Sequence, residues 1–325
     1  MAEKVPTISG NPYHDENSGE FTSPEDASQT NGDELNEKQK RIVERIKKFL
    51  GRNKGIEVVS DFNFQKNVED MNDDEINKET IYLDNQLQEK YNYNFNKIKD
   101  KKIKLVNLRQ MKRLSEEFPI RNDILLNESG KIDLEMNGKL KTTWGYCRTR
   151  MMFETSGIKF VKISLSTKVF QEDYDSLKKD TQRAIKTGFW TKVSDNDILS
   201  MTLTHEYGHL LSYSLTSSLF NTPQEKDSIP INITTSINKN IDFIKHQLIL
   251  AYFRKKVDEA FEKRYPGKKV QEQISGYGKT NINEWFAETF LGGFSGESNE
   301  YQKIFMETLK KYIKENRIWK ECLIF

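Results

Sequence analysis

One five-residue run in this chain has side chains that could do chemistry together: His205-Glu206-Tyr207-Gly208-His209. Histidines at i and i+4 project from one face of a helix one turn apart, so both imidazoles can reach a single ion. The glutamate between them stands close enough to take a proton from a water that the ion has acidified. Half of the chain's four histidines fall in this pair. The surrounding segment, DNDILSMTLTHEYGHLLSYSLTSSLF, is apolar over several turns and predicts a helix with the pair near its middle. Asp195, Asn196 or Asp197 is the expected N-cap. Gly208 interrupts that helix at a cost of about 1 kcal/mol relative to alanine. Its presence predicts that another backbone, such as a strand or the floor of a cleft, comes close there.

Two histidines do not complete a catalytic metal site, which takes a third protein ligand and keeps one position for water. Neither remaining histidine is well placed: His14 lies in a polar N-terminal stretch, and His246 reads as an ordinary residue of a later helix. Carboxylates are the better source. The segment TNINEWFAETF offers Glu284 and Glu288 four apart on one helix face, with Trp285, Phe286 and Phe290 on the core side. One carboxylate on the ion, with a second one turn away orienting a histidine ligand, is a workable construction.

These residues need elements to position them. The chain has 325 residues, 35% hydrophobic and 31% charged, with a mean hydropathy of −0.77. So polar a composition predicts that part of the chain lies outside any core. Residues 1–37, rich in Gly, Pro, Ser, Asn and acidic side chains, read as a disordered arm. Residues 38–95 read as a helical N-terminal segment, with Ile42, Val43, Ile46, Phe49 and Leu50 at helical spacing, then a helix over 74–93 through Ile76, Ile81, Leu83 and Leu87. A further helix is predicted at 104–117, stopped by Pro119. From about 140 the texture turns β-branched and aromatic: KTTWGYCRTR and GIKFVKISLS read as strands. Helices are expected near 172–186, over 237–264, and twice in the C-terminal part, where Tyr301, Phe305, Leu309 and Tyr312 share a face. The fold class is therefore α+β, a small sheet packed on helices.

Several functions are set aside by the same reading. Fifty-one basic residues against 49 acidic ones give a net charge of +2, which argues against a nucleic-acid partner. No stretch is long and apolar enough for a membrane span, and the N-terminus does not read as a Sec signal peptide. The expected location is cytoplasmic, virion-associated or reached by a non-Sec route. Cys147 and Cys322 cannot make a disulfide framework.

HEYGH followed downstream by SGYGKTNINEWFAETF resembles the catalytic core of the anthrax lethal factor family of zinc metallopeptidases, which includes the clostridial Pro-Pro endopeptidases. Those enzymes place a tyrosine seven residues before a glutamate ligand, in a setting Tyr-x-x-x-Asn-x-x-Glu-x-Phe-Ala-Glu. The resemblance implies a zincin-like domain over 96–325, one catalytic Zn2+ on His205, His209 and Glu284, and Glu206 as general base. It implies an oxyanion-supporting hydroxyl on Tyr277, with Glu288 and Asn281 in the supporting shell, and a peptide or protein substrate. The stretch 221–272 departs from the family as a longer, more helical insert. A second segment, NPYHDENSGEFTSP, resembles a short motif of phage head proteins and their fused effectors, which makes residues 1–37 a candidate contact for a virion or delivery partner. The resulting expectation is a zinc metalloendopeptidase, as a delivered toxin or phage effector. The rivals are a structural or virion-associated protein that keeps a peptidase fold as scaffold, and a zinc hydrolase acting on something other than peptides.

Overall fold

The alternation Ile132, Leu134, Met136 buries every second side chain against the helices and makes 132–137 a strand, which the sequence reading does not assign. The computed structural model describes residues 66–120, 131–140, 144–152, 157–219 and 241–315. The arm 1–37, the expected helix over 38–50 and most of the loop before the long C-terminal helix lie outside the described residues.

Among the described residues the architecture is α+β, with seven α-helices and one mixed sheet. In chain order the elements are α1 (Asp73–Leu87), β1 (Tyr91–Tyr93), α2 (Lys101–Glu117), β2 (Ile132–Asn137), β3 (Gly145–Met152) and β4 (Gly157–Ser166), followed by α3 (Tyr174–Lys186), α4 (Met201–Leu219), α5 (Ile241–Arg264), α6 (Ile282–Phe294) and α7 (Glu300–Glu315). The sheet order is β1-β2-β4-β3; β1, β2 and β4 run parallel and β3 runs antiparallel to β4 as an edge strand.

Two expectations about the N-terminal half are corrected. The helix predicted over 74–93 ends at Leu87, and Tyr91–Tyr93 pairs with β2 instead. Its buried face runs through Ile76, Glu79, Leu83 and Leu87, leaving Ile81 63% exposed. The reason is Arg109 on α2, which draws Glu79 inward through a bidentate pair at 2.5 and 2.7 Å. Breaking one partner of so buried a pair costs about 3–5 kcal/mol. That pair and the β1–β2 ladder join α1 and β1 to the elements that follow them.

The helix carrying HEYGH starts at Met201, behind a short 3-10 turn at Ile198–Ser200. None of the three expected caps closes it: Asp197 makes no capping bond, because its carboxylate accepts from Arg113 Nη1 at 2.6 Å and Ser194 Oγ at 2.9 Å. α4 packs against β3, β4, α5 and α6. Phe253 of α5 meets Trp285, Phe286, Phe305 and Tyr312 edge-on or tilted, so an aromatic cluster, fully buried but for the half-buried Tyr312, holds α5, α6 and α7 together. Each such side chain contributes about 1.5–3 kcal/mol by burial.

Candidate metal centre

A backbone does come close to Gly208, that of the helix α6. A Cβ at Gly208 would sit 3.0 Å from Ala287 Cα and 3.2 Å from Phe290 Cδ1. Glycine thus lets α4 and α6 cross at near contact, which brings the α6 carboxylates to the histidines. About 200° around α4, Glu206 meets the sheet edge: a Cβ at Gly145, the first residue of β3, would lie 3.1 Å from Glu206 Oε1 and 2.8 Å from Thr202 Cγ2. Two glycines, one on each side, allow α4 to be sandwiched this tightly.

α6 opens on Asn281, whose side chain accepts from Asn283 N at 2.9 Å and Glu284 N at 3.0 Å. Asn281 therefore acts on the site by fixing where α6 begins. Glu284 stands at the third helical position, where a glutamate often bonds back to the cap. Here its Oε2 turns to the histidines, 3.0 Å from His205 Nε2 and 3.4 Å from His209 Nε2. His205, His209 and Glu284 are all buried and offer ligand atoms within 4.8 Å of one another, a group that could hold a metal ion.

Glu288, one turn on, faces the other side of the same imidazole. Its Oε1 lies 3.0 Å from His205 Nδ1, and its Oε2 accepts from Thr191 N at 2.8 Å and Ser275 Oγ at 2.7 Å. With Nδ1 donating to Glu288, an ion that takes the place of the proton between Nε2 and Glu284 would find the Nε2 lone pair aimed at it. Burial alone would depress the His205 pKa. The hydrogen bonds to Glu284 and Glu288 outweigh it and raise the pKa well above the ordinary histidine value, so the pocket favours positive charge at this point. A cation bound between the same groups would meet the same field.

Tyr277 stacks on the His205 ring with centroids 5.6 Å apart. Burial, then the charges of Glu284, Glu206 and Glu288, push its phenol pKa up, so it stays a protonated donor. On β3, burial and the nearby Glu206 carboxylate hold the Cys147 thiol well above its ordinary pKa.

His246 stays outside the ligand group, as expected. It is fully buried, stacks on Tyr213 at 4.1 Å, and bonds Thr216 Oγ1 through Nδ1 at 2.9 Å. Its Nε2 has no hydrogen-bond partner in good geometry, and burial, with His209 nearby, pushes its pKa down to about 3 against a smaller opposing pull from Asn283. His14 lies outside the described residues. Sequence reasoning missed Ser275, Thr191 and Gly145, which touch Glu288 or Glu206 only through the tertiary fold; no local pattern marks them.

Among the described residues no helix is long and apolar enough to cross a membrane. Comparison of the chain with protein-family models, curated proteins and solved structures gives no match, so the residues of this centre and their geometry carry the functional reading.

Proposed function

We propose that the chain is a zinc-dependent endopeptidase with a zincin-like domain, of the kind its motifs resemble. The observation that carries the reading is the buried His205/His209/Glu284 group with Glu206 and Tyr277 beside it. Two imidazole nitrogens and one carboxylate are the donor set that suits zinc with a position left open. When bound there, zinc would acidify a water and polarise a peptide carbonyl.

The chain's own residues supply the remaining chemistry. Glu206, between the two histidines and 6% exposed, accepts the proton of the attacking water and passes it to the leaving amine. Tyr277, kept as the neutral phenol, donates a hydrogen bond to the oxygen that gains charge as the carbonyl becomes tetrahedral. Glu288 holds the Nδ1 proton of His205 and so fixes its tautomer. β3 is an edge strand starting against Glu206, so an extended peptide adding to that edge would lay its main chain past the base.

The test is metal analysis of the folded, unchelated protein together with hydrolysis of a peptide library by the wild type and by Glu206→Gln. About one zinc per chain, chelator-sensitive cleavage, and a Glu206→Gln variant that keeps the metal but loses cleavage are expected. A metal-free folded preparation, or undiminished cleavage by Glu206→Gln, would overturn the proposal.

A further inference from the structure

Helix α7 begins with a reciprocal pair of side chains. Asn299 Oδ1 accepts from Gln302 N at 2.9 Å, and Gln302 Oε1 accepts from Asn299 N at 2.9 Å, the pattern of a capping box. Only the oxygen of a side-chain amide can accept from a backbone N–H, so both nitrogens are turned away from these bonds. Gln302 Nε2 donates to Thr191 Oγ1 at 2.7 Å, and Asn299 Nδ2 donates to the Gln273 carbonyl at 2.8 Å. Capping needs neither nitrogen: α1 is closed by the same box from Asn72 and Glu75, where the second member is a carboxylate.

The two segments held in this way are the ones that reach Glu288. Thr191 gives it a backbone N–H, and Ser275, two residues beyond Gln273, gives it a hydroxyl. Glu288 in turn meets His205 Nδ1 at 3.0 Å. The segments are also tied to each other, by Gly276 N to Gly188 O at 2.9 Å and Tyr277 N to Phe189 O at 2.7 Å. They are thus pinned at one end to each other and at the other to the start of α7.

α6 is shaped for this arrangement. Gly292 stands one turn beyond Glu288, as Glu288 stands one turn beyond Glu284, so the three share a face. A Cβ on Gly292 would run into the Gln302 amide, so glycine there lets Gln302 pass across α6 to Thr191. Thr191, Glu288 and Gln302 are each 6% exposed or less, so bulk water does not make good a bond lost among them.

We propose that Asn299 and Gln302 are positioning residues of the metal centre, holding Thr191 N and Ser275 Oγ where they aim Glu288 at His205. The inference rests on the reading of His205, His209 and Glu284 as a zinc site and names what keeps its first histidine oriented. Both residues act through Glu288. Loosening one donor leaves the other in place. Each loss should therefore weaken zinc binding severalfold, up to about tenfold, the worth of one neutral hydrogen bond and less than the loss of Glu288 itself.

Two substitutions separate this role from helix capping. Asn299→Ser keeps an N-cap oxygen and removes the nitrogen that holds Gln273. Thr191→Val keeps the backbone N–H and the side-chain shape and removes the acceptor for Gln302. Zinc affinity is measured by chelator competition for each, alone and in the Glu288→Ala background. In the metal-free proteins, NMR follows exchange of the His205 Nδ1 proton with water. Each substitution should weaken zinc binding severalfold when Glu288 is present and less than twofold when it is absent, and should speed the exchange severalfold. If Glu288→Ala does not fold, the exchange rates decide; if Thr191→Val does not fold, Asn299→Ser decides, because serine still caps α7. No loss of affinity, an equal loss with and without Glu288, or an unchanged exchange rate makes both residues plain helix caps; that overturns the proposal and leaves the zinc reading standing. A wild type that binds no zinc, with exchange still quickened by both substitutions, overturns the zinc reading and leaves the positioning role.

Discussion

Replacing Glu288 by glutamine removes one charge and almost no volume, and the hydrogen bonds around it make the consequence calculable. Glu288 is 3% exposed and accepts from three directions: His205 Nδ1 at 3.0 Å through Oε1, and Thr191 N and Ser275 Oγ through Oε2. A glutamine has one acceptor oxygen and one donor amide, so it has two poses. With its oxygen towards Thr191 and Ser275, the amide faces Nδ1, which must then accept; the imidazole proton moves to Nε2, the atom 3.0 Å from Glu284, and the lone pair for an ion is gone. With its oxygen towards Nδ1, the amide faces the Thr191 N–H. Ser275 can rotate its hydroxyl, but a backbone N–H cannot turn away. Leaving that buried donor unsatisfied costs about 1–3 kcal/mol. The protein adopts the cheaper pose, so Glu288→Gln should weaken zinc binding by about 10- to 100-fold. It should also lower the melting temperature of the metal-free protein. Chelator competition measures the first and a thermal melt in chelator the second. Zinc affinity within twofold of the wild type would refute the reasoning, since it would show that neither the Glu288 charge nor its hold on the Nδ1 proton reaches the ion. Glu284→Gln is the internal comparison and should lose the ion more completely.

Three further outcomes follow from the packing around α4. Gly145→Ala puts a methyl group 3.1 Å from Glu206 Oε1 and 2.8 Å from Thr202 Cγ2; displacing the base should cost about tenfold or more in kcat while zinc content is kept, as read by single-turnover kinetics and metal analysis. Gly208→Ala should lower stability by about 1–3 kcal/mol despite alanine's better helix propensity, because the new methyl meets Ala287 backbone; a denaturant titration measures it, and a more stable variant would contradict the contact. His246 has its pKa depressed to about 3, below the 6.5 of an ordinary histidine, so in that interval the unfolded chain binds more protons than the folded one. Its effect on stability is constant above about pH 6.5 and turns increasingly unfavourable as pH falls towards 3; the difference in melting temperature between wild type and His246→Gln should therefore shift in the variant's favour on acidification.

What the sequence disclosed of the site was its local part. His205, Glu206 and His209 are set by one helical turn, and Glu284 with Glu288 by another, so period alone placed each set on a face. Which carboxylate meets the histidines depends on the α4–α6 crossing at Gly208 and Ala287, and only the family-like spacing from Tyr277 pointed to Glu284. The errors share a cause. Asp197 has the side chain of a cap, but Arg113, far off in sequence, claims it. Ile81 fits the apolar period of its helix, yet Arg109 turns Glu79 inward in its place. β1 is too short to show a period, and β2 shows one, in Ile132, Leu134 and Met136, that the sequence reading does not assign. Ser275, Thr191 and Gly145 could not be found locally, since each acts through a partner that only folding supplies.

The α4–α6 crossing also fixes when in folding the centre can exist. His205 and His209 form a pair as soon as one helix is made, but Glu284 arrives only once two helices distant in the chain have docked at Gly208, and Glu288 orients His205 only when the Thr191 and Ser275 segments have closed on it. An unfolded chain thus offers an ion only scattered ligands, with His205 and His209 close in sequence, and the native state offers the assembled set. An ion bound there would act as a latch on the finished fold and not as its nucleus, its affinity drawn on to hold the structure shut. At a hundredfold excess over its dissociation constant, such a latch adds about 2.7 kcal/mol to the unfolding free energy. Loading with metal would then be a quality check on folding: only molecules whose helices have crossed correctly could be filled.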